Sequence, residues 1–151
     1  IKGYGNANDA YHPSSISDEA IGVIASIKGA IESANIDPSD INYINAHGTG
    51  TVNNDQSELT GIKSVFAKTP PFQSTKSYTG HTLAAAGAIE AVISLLAIKN
   101  QELYKSLNFE APIEEGALPI DAYKHPIKVE NVLSNSFGFG GNCSSLIISK
   151  P

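Results

Sequence analysis

The chain has 151 residues, 41% of them hydrophobic and 17% charged, enough to bury a core and to exclude a disordered tail as its default state. Ten basic residues, every one a lysine, stand against fifteen acidic ones for a net charge of −5, which excludes a basic nucleic-acid-binding stripe. A single cysteine excludes an internal disulfide framework and a cysteine-rich zinc site, and fits a reducing cytoplasm.

Methionine is absent even at position 1, where Ile1-Lys2-Gly3 already reads as a strand, so the sequence is expected to be a piece of a longer polypeptide. No basic start followed by an apolar run marks a targeting peptide. Ser17, Asp18 and Glu19 read as a helix opening, a capping hydroxyl followed by acids at the positive end of the macrodipole. Ala20, Ile24, Ile27 and Ile31 then recur at helical spacing and predict an amphipathic helix to about Ala34. Asp37 to Asp40 is a turn, Ile41 to Ala46 a short strand, and the Gly/Thr/Asn-rich run His47 to Asn54 a loop. A second helix is predicted from about Asp55 through Phe66. Phe72 to Thr75 is a strand, Lys76 to Gly80 a loop, and His81 and Thr82 stand at the entrance of a third helix ending near Lys99.

That third helix is apolar on nearly every side, which predicts a place between two layers of structure. Its run Leu83 to Ile98 is shorter than the roughly 20 residues of a bilayer span and holds Glu90, so no membrane partner is expected. A looser stretch runs from Leu107 to Pro126. The end alternates in β fashion, Val132 to Phe139, a bend at Gly140 and Gly141, then Ser145 to Ser149. Strands alternating with helices argue for one layered α/β unit.

His47 and His81 each follow a strand, and ligands in open α/β sheets gather beyond the carboxyl ends of strands, so both imidazoles are predicted to share one crevice. The helix dipole ahead of His81 disfavours imidazolium; a neutral ring can donate to a carbonyl oxygen. A zinc site on the two histidines would need a further ligand from Asp55, Glu58 or Glu90. Glu90 in its apolar helix calls for a partner, and Lys76 is the nearest cation by sequence; the alternative is a narrow polar stripe of Glu90 and Ser94 facing water. Asn135 to Gly141 is a strand entering a glycine-rich bend, either a plain hairpin or a site where the Phe139 amide serves as an oxyanion donor. No nucleotide-phosphate loop is present. Cys143 lacks an activating neighbour and is expected in the core, while His12 and His125 show no partner by spacing.

These residues resemble the C-terminal portion of the β-ketoacyl-acyl carrier protein synthases, elongating type II-like condensing enzymes. The match runs from Asp9-Ala10-Tyr11-His12 through Asn45-Ala46-His47-Gly48-Thr49-Gly50-Thr51 with Asn54-Asp55, Thr75-Lys76-Ser77, and Gly80-His81-Thr82-Leu83. It continues in Ala85-Ala86-Gly87-Ala88-Ile89-Glu90 and Asn135-Ser136-Phe137-Gly138-Phe139-Gly140-Gly141. The resemblance implies a thiolase-like α/β fold with a mixed five-stranded sheet, residues 1–151 being its C-terminal half. It implies a decarboxylative Claisen condensation of malonyl-acyl carrier protein with an acyl-enzyme thioester. On that mapping His47 and His81 bind the malonyl thioester carbonyl, Lys76 held by Glu90 tunes them, and Thr49 and Thr51 touch the phosphopantetheine arm. Phe139 supplies an oxyanion amide and a gating ring, with Phe137, Gly138 and Gly140 lining the gate.

The family's nucleophilic cysteine belongs to the N-terminal half, and no segment here matches it. The chain alone is therefore expected to be inactive, and sticky where its apolar helix lacks a counterpart. No cofactor is implied, since phosphopantetheine is carried by the acyl carrier protein. That acidic carrier is the implied partner, although the lysines are scattered, and a homodimer is the implied full-length form. A non-catalytic chain-length-factor-like subunit is the alternative, and such partners usually lose the histidine pair. A zinc-dependent hydrolase is a third reading.

Overall fold

The computed structural model describes residues 1–114, 117 and 119–151. The β-type runs become β1 (Gly3–Asn8), β2 (Tyr43–Asn45), β3 (Phe72–Gln73), β4 (Asn131–Gly138) and β5 (Asn142–Ser149). They form one five-stranded sheet in the order β1-β5-β4-β2-β3. β2 runs parallel to β3 and β4, whereas β5 is antiparallel to β4 and β1, so the sheet is mixed. Parallel neighbours need crossovers. α2 (Val52–Val65) joins β2 to β3, and α3 (Lys76–Thr79) and α4 (Ala86–Asn100) lie between β3 and β4. The β4–β5 connection turns at Gly140 and Gly141, with φ of 81° and 77°, a region that favours glycine.

Side chains alternate across the sheet and build two cores. On one face Ile44, Leu133, Phe137, Cys143 and Ile147 pack against Val23, Ile27, Ala30 and Ile31 of α1 (Ile21–Ala34) and Ile62 of α2. On the other, Tyr43, Val132 and Ile148 meet Ala97 and Ile98 of α4, together with Leu103, Ile120 and Val129. α1 rests very close to β1: a Cβ on Gly5 would lie 2.0 Å from the Ser26 carbonyl oxygen and 2.5 Å from the Ala30 nitrogen. Only glycine permits that approach.

Several expected boundaries shift. Ser17 does not cap α1; Ala20 takes the N-cap position with φ 55° and no side-chain cap. The carboxylate of Asp9 instead accepts from the amides of Ser17 (2.6 Å) and Gly22 (2.9 Å) and from the Ser17 hydroxyl. α2 starts at Val52, so the end of the expected loop is helical, and the expected Lys76–Gly80 loop is the short helix α3. α4 begins only at Ala86, after a 3-10 turn at Leu83–Ala85. β1 starts at Gly3, β3 stops at Gln73, and β5 starts already at Asn142. In the loose stretch 107–126, Glu115, Gly116 and Leu118 lie outside the described residues.

α4 packs on the sheet with one face, Ala86, Glu90, Ser94, Ala97 and Ile98, and leaves Val92, Leu95 and Leu96 56%, 52% and 41% exposed, the side expected to lack a counterpart. The narrow polar stripe is therefore real but faces the sheet, not water.

Gly5→Ala is expected to lower stability by about 1–3 kcal/mol, the usual cost of overpacking, because its methyl meets backbone rather than a movable side chain. The check is a lower denaturant midpoint with an unchanged slope. A parental midpoint would show that α1 does not rest on β1 at this distance.

Candidate active site

The site grows from the end of β2. Asn45 is fully buried and its side chain faces α4, donating to the Glu90 carbonyl (3.2 Å) and the Ser94 hydroxyl (3.4 Å). Ala46 continues the ladder through its amide to the Gln73 carbonyl, and the chain leaves the sheet at His47. There Glu58 of α2 takes over. Its carboxylate accepts from the amides of His47 (2.9 Å) and Gly48 (2.8 Å) and from the side chain of Asn135 on β4 (3.0 Å). Glu58 is 3% exposed and forms no ion pair among the described residues, so N–H donors alone compensate its burial. Burial pushes its carboxyl above the ordinary range, against the pull of those donors.

Beneath the ring of His47 lies Lys76, the first residue of α3. Its ammonium donates to the His47 carbonyl (2.5 Å) and to the Glu90 carboxylate, and stands 3.3 Å from His47 Nδ1. Both members of the ion pair are buried, so the expected Lys76–Glu90 partnership is present. Burial pushes the Glu90 carboxyl up while the Lys76 ammonium draws it back.

His81 follows Gly80, and its Nδ1 accepts the Leu83 amide at 3.1 Å. The dipole contact expected at this residue is replaced by that single amide, because the α-helix starts five residues later at Ala86. The two imidazole centroids are 5.6 Å apart at 86°, so the two rings are brought together as expected, His47 buried and His81 exposed. Phe137 packs on His47 at 5.5 Å.

These contacts assign the protons. His47 is pushed down to about 3, first by burial, then by the Lys76 ammonium, then by His81, and is neutral at physiological pH. With Nδ1 facing a cation, its proton belongs on Nε2. His81 likewise uses Nδ1 as an acceptor, leaving Nε2 as its available nitrogen. Among the described residues neither Nε2 has a hydrogen-bond partner. Two such donors set at right angles suit a carbonyl oxygen that gains negative charge.

Thr49 and Thr51 lie on the loop into α2, their hydroxyls 2.8 Å apart, with Thr49 half-buried and Thr51 exposed. Phe139 stands at the tip of the β4–β5 turn, 82% exposed, between the exposed Gly138 and Gly140. The turn is pinned from the end of β1 and the segment after it: Gly140 accepts from the Asn8 side chain (2.8 Å) and donates to the Pro13 carbonyl (2.7 Å). Among the described residues the aromatic ring against His47 is that of Phe137, and no contact joins Phe139 to the histidines. His12 meets Ser14, and His125 stacks on Tyr123. Cys143 is buried, and burial pushes its thiol up to about 11, the reverse of activation.

Glu58 and Asn135 were not recognised in the sequence as supports of His47. The available signal was Glu58 four residues before Ile62, an acid on the inward face of a helix. The zinc ligand set is not assembled: Glu58 faces amides, Glu90 faces Lys76, and no cluster of metal-ligating side chains occurs among the described residues.

Residues 1–110 match the family model described as Beta-ketoacyl synthase, C-terminal domain. The chain belongs to the β-ketoacyl synthase family. It is 42% identical over 157 residues to 3-oxoacyl-(acyl-carrier-protein) synthase 2 of Coxiella burnetii, covering 99% of this chain and 37% of that protein. It superposes with a TM-score of 0.94 and 35% identity on the structure of a type II polyketide synthase acyl-carrier protein in complex with its ketosynthase bound to the hexaketide, covering 100% of this chain and 38% of that one. A ketosynthase in complex with its chain length factor from Xenorhabdus doucetiae gives a TM-score of 0.89 at 41% identity, over 100% of this chain and 39% of that one. The fold is thus the thiolase-like α/β fold of the ketosynthases, and the chain spans about two-fifths of the length of these relatives.

The ring resonances of His47 are expected to stay flat from pH 8 to pH 5 in an NMR titration, because its pKa is lowered and the neutral form persists until about pH 3. An inflection near 6.5 would place the ring in solvent, away from Lys76. Lys76→Met leaves Glu90 as an uncompensated buried carboxylate and is expected to cost about 3–5 kcal/mol in denaturant unfolding. Adding Glu90→Gln is expected to recover part of that loss; a second loss adding to the first would refute the pairing.

Proposed function

We propose that residues 1–151 are the malonyl-handling, C-terminal thiolase-like half of a 3-oxoacyl-acyl carrier protein synthase, which condenses malonyl-acyl carrier protein with an acyl-enzyme thioester. The observation that carries this reading is the pair of imidazoles 5.6 Å apart, each with Nδ1 occupied by an N–H donor. Malonyl thioester binds with its carbonyl oxygen facing both Nε2–H groups. The bond to the carboxylate breaks, carbon dioxide leaves, and its electron pair enters the enolate whose oxygen the two rings stabilise. The enolate carbon attacks the acyl carbon of the thioester, the C–S bond breaks, and its electron pair leaves with the sulfur of the N-terminal half's nucleophilic cysteine, which is freed as the thiolate.

Lys76 and Glu90 orient His47 and keep it uncharged. Thr49 and Thr51 face the phosphopantetheine arm, and Phe139, with Phe137, Gly138 and Gly140, forms the gate and one oxyanion amide. No resident cofactor is needed, since the thiol arm arrives on the carrier protein. The partners are acyl carrier protein and a second copy in a cytoplasmic homodimer, and the apolar outer face of α4 is surface for the N-terminal half to cover. Both histidines are present, which favours the enzyme over a chain-length-factor-like partner.

The test uses the full-length polypeptide. His47→Ala and His81→Ala are each expected to reduce malonyl-acyl carrier protein decarboxylation by about 10²–10³-fold, the usual effect of losing one oxyanion donor. Residues 1–151 alone are expected to give no elongated product. Parental decarboxylation in both variants, or elongation by the isolated chain, would refute this reading.

A further inference from the structure

We propose that Ser26, Ser145 and Asn135 are positioning residues, a buried hydrogen-bonded chain that fixes the direction of the Asn135 amide and, through Glu58, the loop that carries His47. Its effect on turnover rests on the role proposed for His47; the chain itself rests on geometry alone.

Four elements contribute one residue each. On α1 the Ser26 hydroxyl lies 3.0 Å from the Val23 carbonyl and 3.1 Å from the Ser145 hydroxyl of β5. Ser145 donates to Asn135 Oδ1 on β4 at 2.9 Å, and Asn135 Nδ2 donates to Glu58 Oε1 on α2 at 3.0 Å. Glu58 in turn holds the amides of His47 and Gly48. Ser26, Ser145 and Asn135 are 0% exposed, and Glu58 is 3%.

Donor counting gives each link one direction. An ionised carboxylate accepts only, so it requires the NH₂ group of Asn135. That turns Oδ1 towards Ser145, whose one hydroxyl proton is committed to it. The lone pairs left on Ser145 suit the Ser26 proton, which is shared with Val23. A flipped Asn135 amide would press an oxygen against a carboxylate oxygen; in the direction that Glu58 requires, Oδ1 has the Ser145 hydroxyl as its donor, which holds the amide in place from the other side. The neighbours of these residues on the same faces are apolar: Leu133 and Phe137 beside Asn135, Cys143 and Ile147 beside Ser145, Val23 and Ile27 beside Ser26. Polar side chains replace them along the one line that leads to Glu58.

The test compares Ser145→Ala and Asn135→Asp with the parent in the full-length polypeptide. In Ser145→Ala, hydrogen exchange at the His47 and Gly48 amides is expected to accelerate roughly tenfold, with β4–β5 ladder amides such as that of Val132 unchanged as the control for folding. Decarboxylation is expected to fall by a similar factor in kcat with KM held. In Asn135→Asp two carboxyls face each other and must share a proton, so its pH–rate profile is expected to shift towards acid, which a merely structural loss would not produce. Parental exchange at both amides in Ser145→Ala, or an unshifted profile in Asn135→Asp, would overturn the inference. Faster amide exchange in a polypeptide whose parent shows no decarboxylation would support the chain and reject the role of His47.

Discussion

The Lys76 ammonium governs the site because it is buried, has three hydrogens, and finds an acceptor for each. Its contacts are the His47 carbonyl, His47 Nδ1 and the Glu90 carboxylate. Removing such a charge from water is costly unless its partners are fixed in advance. They are: Asn45 ties the end of β2 to α4 at Glu90 and Ser94, and Glu58 ties the next two amides to α2. The position of the His47 ring follows from an ion pair and a carboxylate cradle, not from contacts of the ring alone.

Two buried carboxylates close to a histidine would ordinarily favour its protonation, yet His47 is driven the other way. Burial is the first cause of that sign, and the orientation of the neighbouring charges adds to it. Glu58 turns both oxygens onto backbone amides and the Asn135 side chain, and Glu90 is neutralised by Lys76, so the charge that the ring meets at short range is the ammonium. A neutral ring with its proton on Nε2 results, and the same tautomer is favoured at His81 by one backbone amide.

The sequence made the layered α/β order legible because two β-type runs flank the Gly140-Gly141 bend and α1 repeats its isoleucines at helical spacing. It brought His47 and His81 together from strand-end logic and found the Lys76–Glu90 pair from the cost of a lone buried acid. What escaped depends on partners distant along the chain. The amides of Ser17 and Gly22 are held by Asp9, so the local Ser-Asp-Glu signal pointed to a cap that another residue supplies. Glu58 and Asn135 are 77 residues apart and belong to different motifs, and neither looks unusual until α2 is laid across β4. Gly5 is equally silent in one dimension.

The rotation of α4 shows how firmly the site dictates the fold around it. By hydrophobicity alone this helix would turn Val92, Leu95 and Leu96 inward, each worth about 1.5–3 kcal/mol when fully buried. Instead it buries Ala86, Glu90, Ser94, Ala97 and Ile98. A half-turn would break the Lys76 ion pair and leave the Asn45 side chain without its acceptors in a dry interior. Sterics act in the same sense. A Cβ on Gly87 would already come within 3.2 Å of the Ser136 hydroxyl, so helix and sheet approach closely at that point. The outward apolar face is thus a consequence of delivering Glu90 to Lys76 at close range, and the chemistry of the site sets the surface that the domain presents.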